Sequence, residues 1–346
     1  MTRASRRFLI WMFSPEYPLW SIPPRSVEAI RSALGPDWEV VSLEIPVLAT
    51  GDGARDVPAE LLDAISEAEV YCGFGIPRPA FLAARRVRWV HSGAAGVGGS
   101  LFDEMRASDV PLTNSAGIHA EPMAEHVLGM LLYFARGLDR AEAGRRAREW
   151  RYSELAGPGS PVRELSGSRL GIVGYGRIGA AVAHRAAGLG VRVRAIRRTP
   201  GGLPAPLEAL DGPEALPDLL SACDYVVLTV PLTPSTEGMI GAPQLARMAP
   251  GSVLVNVSRG ALVDEEALCV ALESGRLRGA GLDAFRCEPL PGESPLWELD
   301  NVLITPHASA ISPEYWDRET DLIVRNIGRY LAGETLENLV DKQQGY

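Results

Sequence analysis

Residues 171–179 read Gly-Ile-Val-Gly-Tyr-Gly-Arg-Ile-Gly. Gly174, Gly176 and Gly179 therefore stand in a G-x-G-x-x-G spacing, with Tyr175, Arg177 and Ile178 between them. An apolar run, Leu170–Val173, enters the first glycine, and a helical segment, Ala180–Leu189, leaves the last. In that order the pattern carries chemistry: a strand, a glycine turn and a helix N-terminus form a seat for a dinucleotide's phosphates. Gly174 allows the tight turn, Gly176 lets the backbone approach the pyrophosphate, and Gly179 lets helix and strand pack closely. The helix N-terminus adds unpaired N–H groups and a positive dipole end.

The end of the next strand reports on the nucleotide. A site for NAD usually places Asp or Glu there, to bond the ribose 2′-hydroxyl. Here Arg197, Arg198 and Thr199 occupy it, and no acid lies between Val191 and Leu207. A carboxylate would repel a 2′-phosphate, whereas a guanidinium grips one. NADP(H) is therefore expected in preference to NAD(H). Three further polar residues sit just beyond predicted strands: Arg259 after Ser252–Val257, Glu288 after Gly281–Phe285, and His307 after Val302–Thr305. In an open parallel sheet, ligands bind beyond the carboxyl ends of the strands. An Arg to hold an anion, a His to move a proton and a Glu to favour the imidazolium make a workable hydride-transfer site. Of the five histidines, His184 is expected to face solvent, His126 lies on a long helix, and His91 and His119 lie near loops.

Elements that could position these residues are readable along all 346 residues, a length suggesting two domains of about 150 residues each. The first hundred alternate strands (Phe8–Phe13, Trp38–Leu43, Val70–Cys72, Trp89–His91) with helices (Arg25–Leu34, Ala59–Glu67), an α/β pattern with a parallel sheet. Pro122 opens a helix whose Met123, Val127, Met130, Leu131 and Phe134 share one apolar face. A second series of strands, Leu170–Val173, Val191–Ile196, Tyr225–Val230, Ser252–Val257, Gly281–Phe285 and Val302–Thr305, is apolar on both faces, as a buried parallel sheet requires. The last forty residues, with a helix over Pro313–Leu331, are too few to fold alone.

Composition narrows the class. With 46% hydrophobic and 22% charged residues the chain is of ordinary globular type. A net charge of -9 without a sustained basic stripe argues against nucleic acid. The Arg145–Arg151 run is read as a solvated helix face. Cys72, Cys223, Cys269 and Cys287 make no CxxC pair or zinc spacing, so packed free thiols and no metal are expected. The apolar run after the arginines of Met1–Phe13 is too short for a signal core, and Met123–Ala135 contains Glu125 and His126 and is too short to span a bilayer. A cytoplasmic protein with no membrane partner is expected.

Taken together, these segments resemble the D-isomer-specific 2-hydroxyacid dehydrogenase family, most strongly from about Trp89 to Val340. The resemblance is carried by the Gly171–Gly179 turn, Pro231–Thr236, Asn256–Asp264, Leu282–Phe285 with Glu288-Pro289-Leu290, and Thr305-Pro306-His307. It implies that His307 is the general acid/base, that Glu288 is its partner, and that Arg259 holds the substrate's carboxylate and carbonyl. Asp283 is implied to meet the nicotinamide carboxamide, and Val230, Pro231, Thr236, Val257 and Ser258 to line the cofactor together with His307. The loop Ala94-Ala95-Gly96-Val97 resembles one whose backbone N–H groups bind the carboxylate. Phe74-Gly75-Ile76 and Ile311–Trp316 are where side chains would shape the substrate pocket. The implied fold is two Rossmann-like or flavodoxin-like parallel-sheet domains, with the cofactor domain (118–305) inserted into the substrate domain (1–117 plus 306–346). The helix Glu121–Gly137 would be the crossover. Homodimerisation through the cofactor domain and closure of the two domains on the substrate are implied as well.

The sequence thus points to an NADPH-preferring reductase of a small 2-keto acid, glyoxylate or hydroxypyruvate first, working reversibly on the 2-hydroxy acid. Oxidation of a small anion such as formate or phosphite is the alternative chemistry. A non-catalytic regulator on the same fold, like the C-terminal-binding-protein corepressors, is the alternative class. The intact Arg259, Glu288 and His307 argue against it.

Overall fold

A computed structural model describes residues 6–47, 49–50, 53–54, 57–199 and 201–345. The basic leader read at residues 1–5 lies outside them. The chain divides into two compact units: Met1–His119 with Ser312–Tyr346, and Ala120–Ile311. The sequence reading put the divisions after residues 117 and 305, whereas they fall after 119 and 311. The later second division has a physical cause: Ala308 and Ser309 donate their N–H groups to Asp283, at 2.8 and 2.9 Å, and so stay with the inserted unit.

In the first unit, β1 (Arg6–Trp11), β2 (Trp38–Ser42), β5 (Val70–Gly73), β6 (Trp89–Ser92) and β7 (Leu112–Asn114) form a parallel sheet in the order β2-β1-β5-β6-β7. A two-residue antiparallel pair, β3 (Ala49–Thr50) and β4 (Gly53–Ala54), stands outside it. Counted within the large sheet alone, the order is 2-1-3-4-5, the flavodoxin-like winding. Continuous apolar strands are buried on both faces, as covering helices demand: Phe8, Leu9, Ile10, Val70, Tyr71 and Cys72 have no exposed area. The C-terminal helix, Tyr315–Ala332, packs on Pro24–Leu34. Its buried face runs Tyr315, Trp316, Glu319, Leu322, Ile323, Asn326 and Ile327, a helical stripe with two polar members.

The inserted unit holds β8 (Arg169–Val173), β9 (Arg192–Ile196), β10 (Ala209–Asp211), β11 (Tyr225–Leu228), β12 (Val253–Asn256), β13 (Gly279–Leu282) and β14 (Val302–Ile304). They form one parallel sheet, β10-β9-β8-β11-β12-β13-β14. The order reverses between β8 and β11, the switch point at which such sheets bind ligands. Alternate residues go to opposite faces: Tyr225 and Val227 join the core under the helices Ala120–Ala135 and Arg177–Gly188, while Val226 and Leu228 join the core under Leu216–Ala222, Ala242–Arg247 and Glu265–Glu273. Gly281 has no side chain because Met130 Sδ would lie 2.7 Å from a Cβ there.

Several sequence expectations shift. The long helix begins at Ala120, so Pro122 sits within its first turn rather than opening it. Three-residue β7 and β10 were not expected: each is an edge strand bounded by proline-containing turns, too short for periodicity to register. Tyr225–Val230 and Gly281–Phe285 read too far: the half-buried Val230 and the buried Ala284 and Phe285 are loop residues as apolar as the strands they follow. β14 is half-buried rather than covered on both faces, being the edge strand. The run Arg145–Arg151 is not one helix face. The helix Leu138–Ala147 stops at Arg148, whose φ is 60°, and Arg145 and Arg146 both pair with Glu142 while Arg151 pairs with Glu149. Among the described residues no helix is long and apolar enough to cross a membrane.

Candidate active site

The glycine turn follows β8. Gly174 has φ 106°, and its N–H and that of Tyr175 donate to Ile196 O at 2.9 and 3.1 Å, tying the turn to the end of β9. A Cβ at Gly174 would strike Thr229 and Val230, and one at Gly179 would strike Gly174 O. Gly176 caps the helix Arg177–Gly188 and has nothing within 4 Å of a Cβ position. Tyr175 and Ile178 are half-buried, Arg177 exposed. Open space over Gly176 at a twelve-residue helix's N-terminus, with no acid in its first turn, suits a dinucleotide's pyrophosphate.

Arg197 lies just past β9, half-buried, with its N–H on Asp211 O and its Nε buried without a hydrogen-bond partner. A buried guanidinium nitrogen without a partner is costly; Arg276 and Arg278 hold such nitrogens as well. Asp211, the acid on the neighbouring strand, directs its carboxylate to Arg194 at 3.8 Å. Arg198 and Thr199 are exposed. Across the switch point, Val230 O accepts from Ser258 Oγ at 2.7 Å and Pro231 O from Thr236 Oγ1 at 2.7 Å, so the loops after β11 and β12 are fastened internally. Val257 is buried.

Arg259 follows β12. Its carbonyl accepts from Asn256 Nδ2 at 2.9 Å and its Nη1 donates to Ser258 O at 2.8 Å. Gly260 is pressed on the backbone of Phe285 and Arg286, leaving no room for a Cβ, which ties the Arg259 turn to the loop bearing Glu288. Glu288 Oε1 accepts from Phe285 N at 2.9 Å, and Oε2 meets His307 Nδ1 at 2.8 Å. Burial acts to raise the Glu288 carboxyl. The hydrogen bonds from His307 and the Phe285 N–H, with the charges of His307 and Arg259, outweigh it, and its pKa lies below the ordinary carboxylate value. His307 sits at φ 51°, a conformation few non-glycine residues adopt, and its side chain is 30% exposed. With Nδ1 committed to Glu288, Nε2 has no hydrogen-bond partner among the described residues. The three residues read beyond separate strands therefore lie on linked turns of one unit.

Asp283 is fully buried beneath the His307 turn. Its Oδ1 accepts from Thr305 Oγ1 (2.6 Å) and Ala308 N (2.8 Å), its Oδ2 from Ser309 N (2.9 Å). His126 Nε2 meets Thr305 Oγ1 at 3.0 Å. Sequence reasoning missed Thr305 and His126 as supports of this turn; Thr305-Pro306-His307 was the only signal. In the first unit, Phe74 is buried with its ring edge-on to Trp20, and Ala94, Ala95 and Gly96 follow β6. His91 is buried against Glu319, His119 stacks on Tyr315, and His184 is exposed. Cys72, Cys223 and Cys269 are buried, but Cys287 is exposed and not the packed thiol expected.

Residues 128–309 match the family model described as "D-isomer specific 2-hydroxyacid dehydrogenase, NAD binding domain". The chain belongs to the D-isomer specific 2-hydroxyacid dehydrogenase family. It is 39% identical over 269 residues to a glyoxylate reductase of Korarchaeum cryptofilum, covering 76% of this chain and 79% of that one. It is 36% identical over 291 residues to a D-3-phosphoglycerate dehydrogenase of Mycobacterium leprae, covering 83% of this chain but 53% of that longer one. A D-isomer specific 2-hydroxyacid dehydrogenase from Xanthobacter autotrophicus Py2, solved in complex with NADPH and MES, superposes with a TM-score of 0.79 at 33% identity, covering 99% of this chain and 100% of that one. This dehydrogenase is thus an NAD(P)-dependent oxidoreductase, a reductase of 2-keto acids, built on two parallel-sheet α/β domains.

Proposed function

We propose that the protein is an NADPH-preferring reductase of a small 2-keto acid, of the glyoxylate and hydroxypyruvate class, with His307 as its proton donor. The observation that carries the reading is the His307–Glu288 contact of 2.8 Å, which occupies Nδ1 and leaves Nε2 unpartnered on a partly exposed ring. When bound, the nicotinamide cofactor supplies the hydride for the keto carbon. His307 gives the Nε2 proton to the carbonyl oxygen, and Glu288, ionised at neutral pH, holds the ring's tautomer and stabilises the imidazolium beforehand. Arg259, in the inserted unit, takes the carboxylate and polarises the carbonyl; in the flanking unit the loop Ala94–Val97 is read by itself as a seat for a carboxylate. Asp283, through Ala308 N and Ser309 N, fixes the backbone around His307.

The choice of NADPH rests on Arg197, whose buried Nε lacks an acceptor, and on the missing acid after β9. A 2′-phosphate would satisfy that nitrogen. Glyoxylate reductase activity in a relative of similar length supports the small-substrate reading. A homodimer and a cytoplasmic location belong to the same proposal. The test is His307→Gln: turnover of 2-keto acids is expected to fall about 10²–10⁴-fold with NADPH affinity unchanged. Turnover surviving this change would remove His307 as the acid.

A further inference from the structure

The loop after β6 is held by its carbonyl groups. Gly93 O accepts from Tyr315 Oη at 2.9 Å. Ala94 O accepts from Ser92 Oγ at 3.2 Å and Ser115 N at 3.4 Å. Ala95 O accepts from Asn114 Nδ2 at 2.8 Å, and Ser92 O from Ser115 Oγ at 2.9 Å. With four successive carbonyls bonded to the unit's interior, the N–H groups of Ala95 and Gly96 have no hydrogen-bond partner among the described residues, and Ala95 is exposed. Unpaired successive amides at the surface are an anion seat.

The holding side chains are braced in turn. Ser115 Oγ lies 2.7 Å from Glu319 Oε2, and Glu319 Oε1 lies 2.9 Å from His91 Nε2. His91 Nδ1 meets Thr113 Oγ1 at 2.8 Å, which also accepts from Trp89 Nε1 at 2.9 Å. Glu319 and His91 are fully buried. Two ionisable side chains in a core carry a desolvation cost, and apolar residues in such places are often neutral or stabilising. What they touch gives the pair a task. Glu319 and Tyr315 lie one turn apart on the same helix, and both reach the loop, Tyr315 directly and Glu319 through Ser115. Gly93 is packed so closely on them that a Cβ would come within 2.9 Å of Tyr315 Oη and 3.3 Å of Glu319 Oε1.

We propose that Tyr315, Ser115 and Asn114, braced by the buried Glu319–His91 pair, are positioning residues that present the Ala95 and Gly96 N–H groups to the substrate's carboxylate. The proposal rests on the reading of this loop as a carboxylate seat. Tyr315→Phe removes one hydroxyl and keeps the ring that stacks on His119. It and Ser115→Ala are expected to raise the KM for the 2-keto acid about three- to tenfold, the worth of one neutral hydrogen bond, with kcat and the NADPH Kd unchanged. Glu319→Gln should behave like the parent, because its amide oxygen can accept from His91 and its N–H can donate to Ser115. Glu319→Leu should raise KM. An unchanged KM in both Tyr315→Phe and Ser115→Ala overturns the proposal, and so does a matched loss of kcat, KM and NADPH binding, the mark of a general structural role. If Ser115→Ala does not fold, Tyr315→Phe decides. Ala95→Pro, which deletes one outward N–H, separates the two levels. A raised KM there with unaffected positioning variants defeats only the positioning role, whereas an unchanged KM there defeats the carboxylate seat and the proposal with it.

Discussion

His307 is poised by two different neighbours, one acting on its ring and one on its backbone. Glu288 takes Nδ1, and Asp283 takes the two N–H groups that follow it in the chain. Because the Glu288 pKa is lowered by folding, its contribution to stability is present above the unfolded-state value of about 4.3 and is lost as pH falls through the lower folded value. Glu288→Gln should therefore be less stable than the parent at pH 7, and the gap in Tm should close as pH drops below about 4. A gap that widens on acidification would mean Glu288 is not held ionised by its partners. Arg197 makes a second residue-scale prediction: Arg197→Ala should weaken NADPH about ten- to hundredfold, the worth of a charged hydrogen bond, and leave NADH nearly unchanged. Cysteine reactivity makes a third. Burial pushes the Cys223 thiol up to about 11, and Cys72 and Cys269 are also buried and raised, so only Cys287 should react promptly with a thiol reagent in the native protein. Unfolding should expose all four. His307, Glu288 and Arg259 could be read from sequence because each lies in the turn or loop beyond the end of an apolar strand. The exposure of Cys287 and the buried brace under Asp283 could not, since both depend on how the loops after β13 and β14 fold over one another.

At the scale of elements, the turn after β12 depends on Gly260, where backbone meets backbone and no side chain can move aside. Gly260→Ala should destabilise the protein by about 1–3 kcal/mol, an overpacking cost, and lower kcat as the loop bearing Glu288 shifts away. Unchanged stability would show that the turn has slack. The strands were legible where a run was apolar on both faces, as in β5, β8, β11 and β12; their order in the sheets was not. The edge strands β7 and β10 were not, because three residues beside a proline, buried in β7 and half-exposed in β10, are too few to carry a period. Glu319 and Asn326 were not read from the sequence: they interrupt an apolar helix stripe, and what a polar residue meets in the core is not written in that pattern.

The whole chain is two α/β units, one inserted in the other, and the two carry different tasks in the proposed reaction. The inserted unit, Ala120–Ile311, holds the glycine turn, Arg197, Arg259, Glu288 and His307, and the flanking unit holds the loop Ala94–Gly96. A nucleotide bound by the folded chain stabilises it by mass action, about 2.7 kcal/mol at a hundred times its Kd, so NADPH should raise Tm more than NADH at equal concentration. The most direct test of the account is to measure oxidation of NADPH and of NADH by the full chain against glyoxylate, hydroxypyruvate, pyruvate, phenylpyruvate and branched 2-keto acids. The account predicts turnover with NADPH well above NADH, greatest for the smallest substrates. Turnover with NADH equal to or above NADPH would contradict the role given to Arg197, and no turnover of any 2-keto acid with either nucleotide would contradict the proposed reaction itself.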